Sequence, residues 1–418
     1  MLDIKFIREN KDIIKEGARK KHLQVDVDKL LGLDDKRIAL SQEIDAFRAE
    51  QNRASEEIAK KSGGRSLLEK MKILKTDLQA KDAELKTVMK EWQSLMLAVP
   101  NVPDVSVPDG KDDTENVEVK KVGAPPKFSF APKSHIELLK DLGMADFERG
   151  VKLSGFRGYV LKGDGALLSF ALWQFVIDFF KVRGYEFMLV PSLVNQEAFL
   201  GTGYLPQGEE DLYKTQDGTY LAGTAEVPVM AYFMGDVLKK EDLPKKIIAF
   251  SPCFRREAGS YGKDTKGLMR VHEFYKWEQV VLSEASHEES VKYHEEITKN
   301  AEDLMQGLGI PYRVVLNCAG DLGLGQVKKY DIEAWVPSEG AYRETHSSSY
   351  FHDFQTRRLN IKYRDEGGKT KFAHSLNSTA LATPRPFAAL LENYQTADGS
   401  VKIPDALRKY FGKDTIRP

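Results

Sequence analysis

Residues 254–274 read FRREAGSYGKDTKGLMRVHEF. An apolar, β-prone run from Lys246 to Phe254 enters this stretch and a second, Tyr275 to Leu282, leaves it, so the pattern predicts a strand, a loop and a returning strand. Between the strands lie Arg255, Arg256, Lys263, Lys266 and Arg270, punctuated by glycines at 259, 262 and 267. An arginine where the first strand ends suits a phosphate, because its planar fork offers two aligned donors and keeps its charge. Phe274, opening the second strand, offers a ring face to a base, and Glu257 offers an acceptor to an amine. Taken singly, each residue more often has a structural job, and it is the joint spacing that points to a nucleotide. The phosphate loop G-x-x-x-x-G-K-[ST] does not fit Gly259 to Asp264, and Gly320 to Gly325 lacks the order G-x-G-x-x-G, so the two familiar nucleotide folds are disfavoured.

Around this segment stands a chain of 418 residues, long enough for two domains. It is 41% hydrophobic and 30% charged with a formal net charge of -1, which excludes a uniformly basic nucleic-acid coat and leaves local basic patches open. The 2 cysteines, Cys253 and Cys318, form no Cys-x-x-Cys pair, so neither a disulfide framework nor a zinc ribbon is expected and a reducing, cytoplasmic setting is. No apolar run long enough to span a membrane occurs, and the amino-terminal residues interleave charge with apolar side chains, unlike a signal peptide.

Two long heptad-like seams precede the quoted segment. One runs through Leu30, Leu33, Leu40, Ile44, Phe47, Ala54 and Ile58, the other through Leu67, Met71, Leu74, Leu78, Leu85, Val88, Trp92, Leu95 and Val99. The few residues around Gly63-Gly64 leave room only for an antiparallel hairpin, an arm with little core of its own. Between Arg53 and Lys75, seven Lys or Arg stand against three Glu, a basic tip suited to a phosphate backbone, although a solvated helical face has the same look. Residues 100–126, with five prolines, read as a linker. The expected division is 1–105, a linker over 106–126, and 127–418. The last part alternates short β-rich runs with helices and favours an α+β fold, a largely antiparallel sheet flanked by helices.

The segment 254–274, in its F-R-x-E-A-G-S and G-L-x-R-x-H-x-F form, resembles motif 2 of the class II aminoacyl-tRNA synthetases, and among them the bacterial-type seryl-tRNA synthetases. The resemblance spans the chain. GYEFMLVPSLVN (184–195) resembles motif 1, the dimer-forming segment, and NSTALATPRPFAALLENYQ (377–395) resembles motif 3; GTGYLPQGEEDLYKT, LAGTAEVPV and GDLGLGQVKKYDIEAW lie between in family order. The helical arm is similar to the family's tRNA-binding domain.

The resemblance implies ATP-dependent activation of L-serine and its transfer to serine tRNA, with selenocysteine tRNA as a further substrate, in a homodimer using ATP and Mg2+. It places Arg255 on the α-phosphate, Glu257 against ATP, Phe274 on adenine and Arg385 on the terminal phosphates. Pro386 is then expected to start the following helix. Glu344 and Ser347 match the magnesium positions, with Thr345 and His346 between them and Arg256 beside Arg255 counted in the ATP site. Thr224, Ala225 and Glu226 match the family's T-x-E serine loop: Thr224 and Glu226 are expected toward the ammonium, Glu278 and Thr379 toward the hydroxyl. On the arm, Arg53, Lys60, Lys61 and Arg65 are the candidates for tRNA.

Three departures stand out. His346 replaces a small hydroxyl residue next to the magnesium and phosphates, Arg256 stands where serine is usual, and Ser378 where glycine is common. None of the 8 histidines shows metal-ligand spacing, so the zinc-dependent variety is not implied. Two rivals remain. An amino-acid activator that loads a carrier protein lacks the arm, and a non-catalytic tRNA-binding homologue is expected to have lost Arg255, Glu278 or Arg385.

Overall fold

The computed structural model describes the chain apart from residues 60–64 and 261, and only the backbone at 59, 65, 66 and 68. Lys60, Lys61 and the expected hairpin turn therefore lie outside the described residues, and for Arg65 only the backbone is described. The chain forms two compact units, Met1–Pro100 and Asn101–Pro418.

In the first unit the heptad seams become helices α1 (Val27–Ala59) and α2 (Arg65–Ala98). With 33 residues, α1 is about 50 Å long at the α-helical rise. Leu30, Leu40, Ile44 and Ala54 on α1 and Leu74, Val88, Met96 and Val99 at and beyond α2 are buried along the seam. The antiparallel sense shows in the ion pairs between the helices: Lys29 with Glu91, Lys36 with Glu84, Glu43 with Lys81 and Glu50 with Lys70 descend one helix as they climb the other. Exposed pairs of this kind add little stability each, so the seam carries the pairing and the charges fix its register.

The second unit is built on an eight-stranded sheet: β1 (Val117–Val122), β2 (Glu186–Leu189), β3 (Lys245–Phe254), β4 (Glu273–Ser283), β5 (Tyr312–Leu316), β6 (Lys328–Val336), β7 (Ala341–His352) and β8 (His374–Ala382). Their order is β1-β5-β6-β7-β8-β4-β3-β2. Every pairing is antiparallel except that of β2 with β3. The residues expected as a linker include β1, whose Val117–Val122 pairs with Tyr312–Leu316, so the 106–126 linker is corrected at those six residues, which belong to the sheet. Proline density misled there because proline is tolerated just outside an edge strand, where no ladder donor is lost.

Helix α3 (Asp164–Phe180) buries Leu168, Leu172, Val176 and Phe180 in the main core, where they meet Ile248, Trp277, Ile332 and Leu381 from one face of the sheet. Helix α4 (Glu226–Tyr232) follows the T-x-E loop, α5 (His287–Gly307) packs on β7 and β8, and α6 (Pro384–Asn393) follows β8. The expectation that Pro386 opens the helix after Arg385 is corrected by two residues. Pro384 takes the first helical position, where no N–H is needed, and Arg385 thereby sits inside the first turn.

Candidate active site

Because strand side chains alternate, Trp277 points into the core while its neighbours Lys276 and Glu278 emerge on the opposite face of β4. That face carries the site. Arg255, just past the end of β3, is bound to β4's approach by its own N–H to the His272 carbonyl at 2.9 Å. Its guanidinium carbon lies 5.3 Å from the Phe274 ring centroid, and Nη2 donates to the Gly223 carbonyl at 3.3 Å. Arg385 comes from the first turn of α6. Its Nε donates to the Met269 carbonyl at 3.0 Å and its Nη1 to the Glu344 carbonyl at 2.8 Å. The two arginines, 130 positions apart by subtraction of their numbers, line one pocket of about 100 Å³ together with Phe274, Glu257, Glu344 and Ser347.

The loop between β3 and β4 is tied to itself and to β7. Arg270 Nη1 reaches Glu257 Oε2 at 2.5 Å, and Asp264 accepts from Arg343 Nη2 at 2.7 Å. Gly262 and Gly267 adopt left-handed backbone, as glycine does without cost, and Glu257 does so as well with φ of 56°. Arg157 clamps the far side, donating to Ser260 Oγ at 3.0 Å and to the Lys263 carbonyl at 3.0 Å. His135 holds the returning limb by accepting from Leu268 N at 3.2 Å.

Glu344 is an ionised group. Against the opposing pull of desolvation, Arg385, Lys329 and Arg255 hold its carboxyl well below the usual carboxylate range. With the Ser347 hydroxyl it offers two hard oxygen donors on the pocket wall. Among the described residues no cluster of three or more His, Cys, Asp or Glu is arranged to hold a metal. The pair therefore fits a cation that takes its other ligands from water and phosphate, as Mg2+ does, and not one needing a full protein cage.

His346 is not beside them. Its cross-strand partner is Ile332, whose side chain is in the core, so His346 shares the core face; it is 1% exposed and its Nε2 lies 3.2 Å from the Ala380 carbonyl. Burial pushes its pKa down to about 4, leaving it neutral. Its expected place in the ATP site is thereby corrected: a one-residue step along a strand reverses the face. Thr345 does line the pocket, although its hydroxyl is spent on the Ile332 carbonyl at 3.0 Å. Arg256 is exposed, with its N–H bound to the Asp211 carbonyl at 3.0 Å, and does not line the pocket.

The residues expected for serine lie deeper. Thr379 lines the pocket and is the cross-strand partner of Glu278. Glu278, Thr224, Ala225 and Glu226 are all buried. Glu226 accepts from Tyr204 OH at 2.9 Å and from Gln355 Nε2 at 2.6 Å. Burial raises its pKa to about 7, with the nearby Glu278 adding to the rise and the Gln355 and Tyr204 hydrogen bonds working against it. Burial likewise raises the pKa of Glu278, opposed by Lys276 and Arg255.

Sequence reasoning missed Lys276, Tyr204, Gln355 and Arg343. For Lys276 a signal was present: in Lys276-Trp277-Glu278 the outer two share a face. For Tyr204 and Gln355 there was none, since they meet Glu226 only through tertiary packing.

Comparison with known proteins agrees with both units. The model for the seryl-tRNA synthetase N-terminal domain matches residues 1–103, and that for the tRNA synthetase class II core domain (G, H, P, S and T) matches 211–394. A serine–tRNA ligase of Deinococcus radiodurans is 47% identical over 99% of this chain and 98% of its own length. The seryl-tRNA synthetase of Pyrococcus horikoshii, solved complexed with ATP, superposes with a TM-score of 0.92 at 39% identity, covering 100% of both chains. The cytoplasmic serine–tRNA ligase of Naegleria fowleri, solved with AMP, gives a TM-score of 0.87 at 34% identity over 100% of this chain and 99% of that one. An arginine-clamped pocket on an antiparallel sheet, a helical-hairpin unit and full-length similarity lead to one conclusion: the chain belongs to the seryl-tRNA synthetase family.

Proposed function

We propose that the protein is a serine–tRNA ligase, which activates L-serine with ATP and transfers the seryl group to serine tRNA. The observation that carries this reading is the convergence of Arg255 and Arg385 on one pocket beside the buried carboxylates Glu278 and Glu226.

In this reading Phe274 stacks on adenine, Arg255 forks onto the α-phosphate and Arg385 draws the terminal phosphates to the pocket mouth, so that the α-phosphorus faces the serine carboxylate. A carboxylate oxygen attacks that phosphorus, the bond to the bridging oxygen breaks and pyrophosphate leaves. A terminal ribose hydroxyl of tRNA then attacks the seryl carbonyl and AMP leaves. No side chain is a nucleophile, and the protein contributes alignment and charge compensation. Glu344 and Ser347 would hold Mg2+, which when bound offsets phosphate charge. Glu226 and Thr224 receive the ammonium, and Glu278 with Thr379 receives the hydroxyl.

Support for tRNA binding by the arm comes from Arg53, the one of its four candidates whose side chain is described, which is exposed. It would serve selenocysteine tRNA by the same contacts where the cell has one. A homodimer is supported by large apolar side chains left in water, Leu167 and Phe170 on α3 and Leu189 at the end of edge strand β2, which is 82% exposed. The cytoplasm is the expected setting; among the described residues no helix is long and apolar enough to cross a membrane.

Exchange of labelled pyrophosphate into ATP, run with serine, glycine, alanine and threonine, tests the reading. Serine should drive exchange well above the others, and preference for another amino acid would refute it.

A further inference from the structure

Lys276 has no part in the roles above, yet it is buried, 5% exposed, in the middle of the site. Its Nζ donates to Thr224 Oγ1 at 2.9 Å and forms an ion pair with the Glu278 carboxylate. Thr224 belongs to the loop before α4 and Glu278 to the centre of β4, so one ammonium joins the two halves of the serine pocket. Lys276 also lines the pocket that Arg255 and Thr379 line. A buried ammonium is costly unless paired, and breaking a buried pair from one side leaves the other charge stranded.

We propose that Lys276 is a positioning residue for serine selection: it fixes Glu278 as an ionised, acceptor-only group and holds it in register with Thr224. This rests on the serine-activation reading. An ionised carboxylate needs a donor, and a protonated one brings a donor of its own. With Lys276 in place, a serine hydroxyl adds a donor to the Glu278 carboxylate, whereas the methyl of alanine offers it none. Among the described residues, the other charged or titratable groups that interact with Glu278 include Arg255 from the loop, Glu226 on α4, Cys253 on β3 and Tyr204, and of these four only Arg255 is a cation. Arg255 is engaged with the Gly223 carbonyl and, in the proposed reaction, with phosphate, so it does not substitute for Lys276.

The test is pyrophosphate exchange by K276M, K276R, E278Q and the double variant K276M/E278Q, each with its melting curve. K276M should raise the serine KM about 100-fold, the lower end for stranding a buried charge, with the ATP KM within about threefold, and should narrow the serine-to-alanine ratio. K276R should recover part of the loss. Because both residues act through one contact, the double variant should be no worse than E278Q alone. That neutral pair also keeps the comparison readable should K276M alone fail to fold. An unchanged serine KM in K276M, an ATP KM rising in step with it, or losses that multiply in the double variant would overturn the proposal. A wild-type protein that does not prefer serine removes the underlying function as well, and that failure appears before any variant is made.

Discussion

Arg385 Nη1 stands 3.1 Å from Glu344 Oε2, so the cation expected for the terminal phosphates and the anion expected for magnesium are partners across the pocket mouth. Neither charge has to be desolvated alone, and each keeps the other in the orientation that binding needs. Arg385 is further fixed by the Met269 carbonyl, which makes its geometry a property of the folded chain. Replacing it with alanine should lower kcat/KM for ATP by about 10³-fold, the scale of losing a preorganised charge donor, with a melting temperature near wild type. R385K should fall between, since it keeps charge without the fork. Near-normal exchange in R385A would show that the triphosphate lies elsewhere.

Phe274, proposed to stack on the base, also carries the Arg255 guanidinium over its ring. F274L keeps apolar bulk and removes the ring face. The ATP KM should rise about 10-fold, toward the lower end of what base stacking on an aromatic contributes, while the serine KM stays within about twofold. Equal rises in both constants would mean that the substitution disturbs the fold of β4 and not a stacking contact.

Glu226 gives the stability a pH dependence. Its pKa is raised by burial from the ordinary 4.5 to about 7, so the folded protein holds this proton more tightly than the unfolded chain does. The associated stability is complete below about pH 4.5 and is lost as pH rises through about 7. E226Q removes the titration, so without serine its stability relative to wild type should grow by about 2–3 kcal/mol between pH 5 and pH 8. Serine activation should nevertheless fall sharply, for the ammonium loses its counter-charge. Thermal melts of both proteins at the two pH values check the sign, and parallel pH dependence would show that Glu226 is not the group responsible.

The first unit ends at Pro100, and no residue of the proposed activation site lies within it. Deleting 30–98 should therefore leave serine-dependent pyrophosphate exchange within about threefold of wild type while tRNA charging falls at least about 100-fold, as expected when basic contacts to a phosphate backbone are removed. Measured side by side, normal charging by the truncated protein would dismiss the arm's role.

What the amino-acid sequence determined by itself was local in origin. The seams of α1 and α2 follow from a heptad repeat, and the strand-loop-strand of 245–283 from two β-prone runs around a glycine-rich break. Arg255 and Phe274 were legible from their places at the ends of the two strands, and Glu344, Ser347 and Arg385 from the resemblance of their segments to the family's; all five line one pocket. What only the tertiary structure decided was direction and company. His346 lies one position from Ser347 yet faces the core, residues 117–122 form a strand only because β5 stands beside them, and Glu226 finds Tyr204 and Gln355 across the fold. The reason is physical: a side chain's face reverses with each step along a strand and shifts at a bulge such as that between Ile332 and Glu333, while its partners come from distant segments brought near by packing.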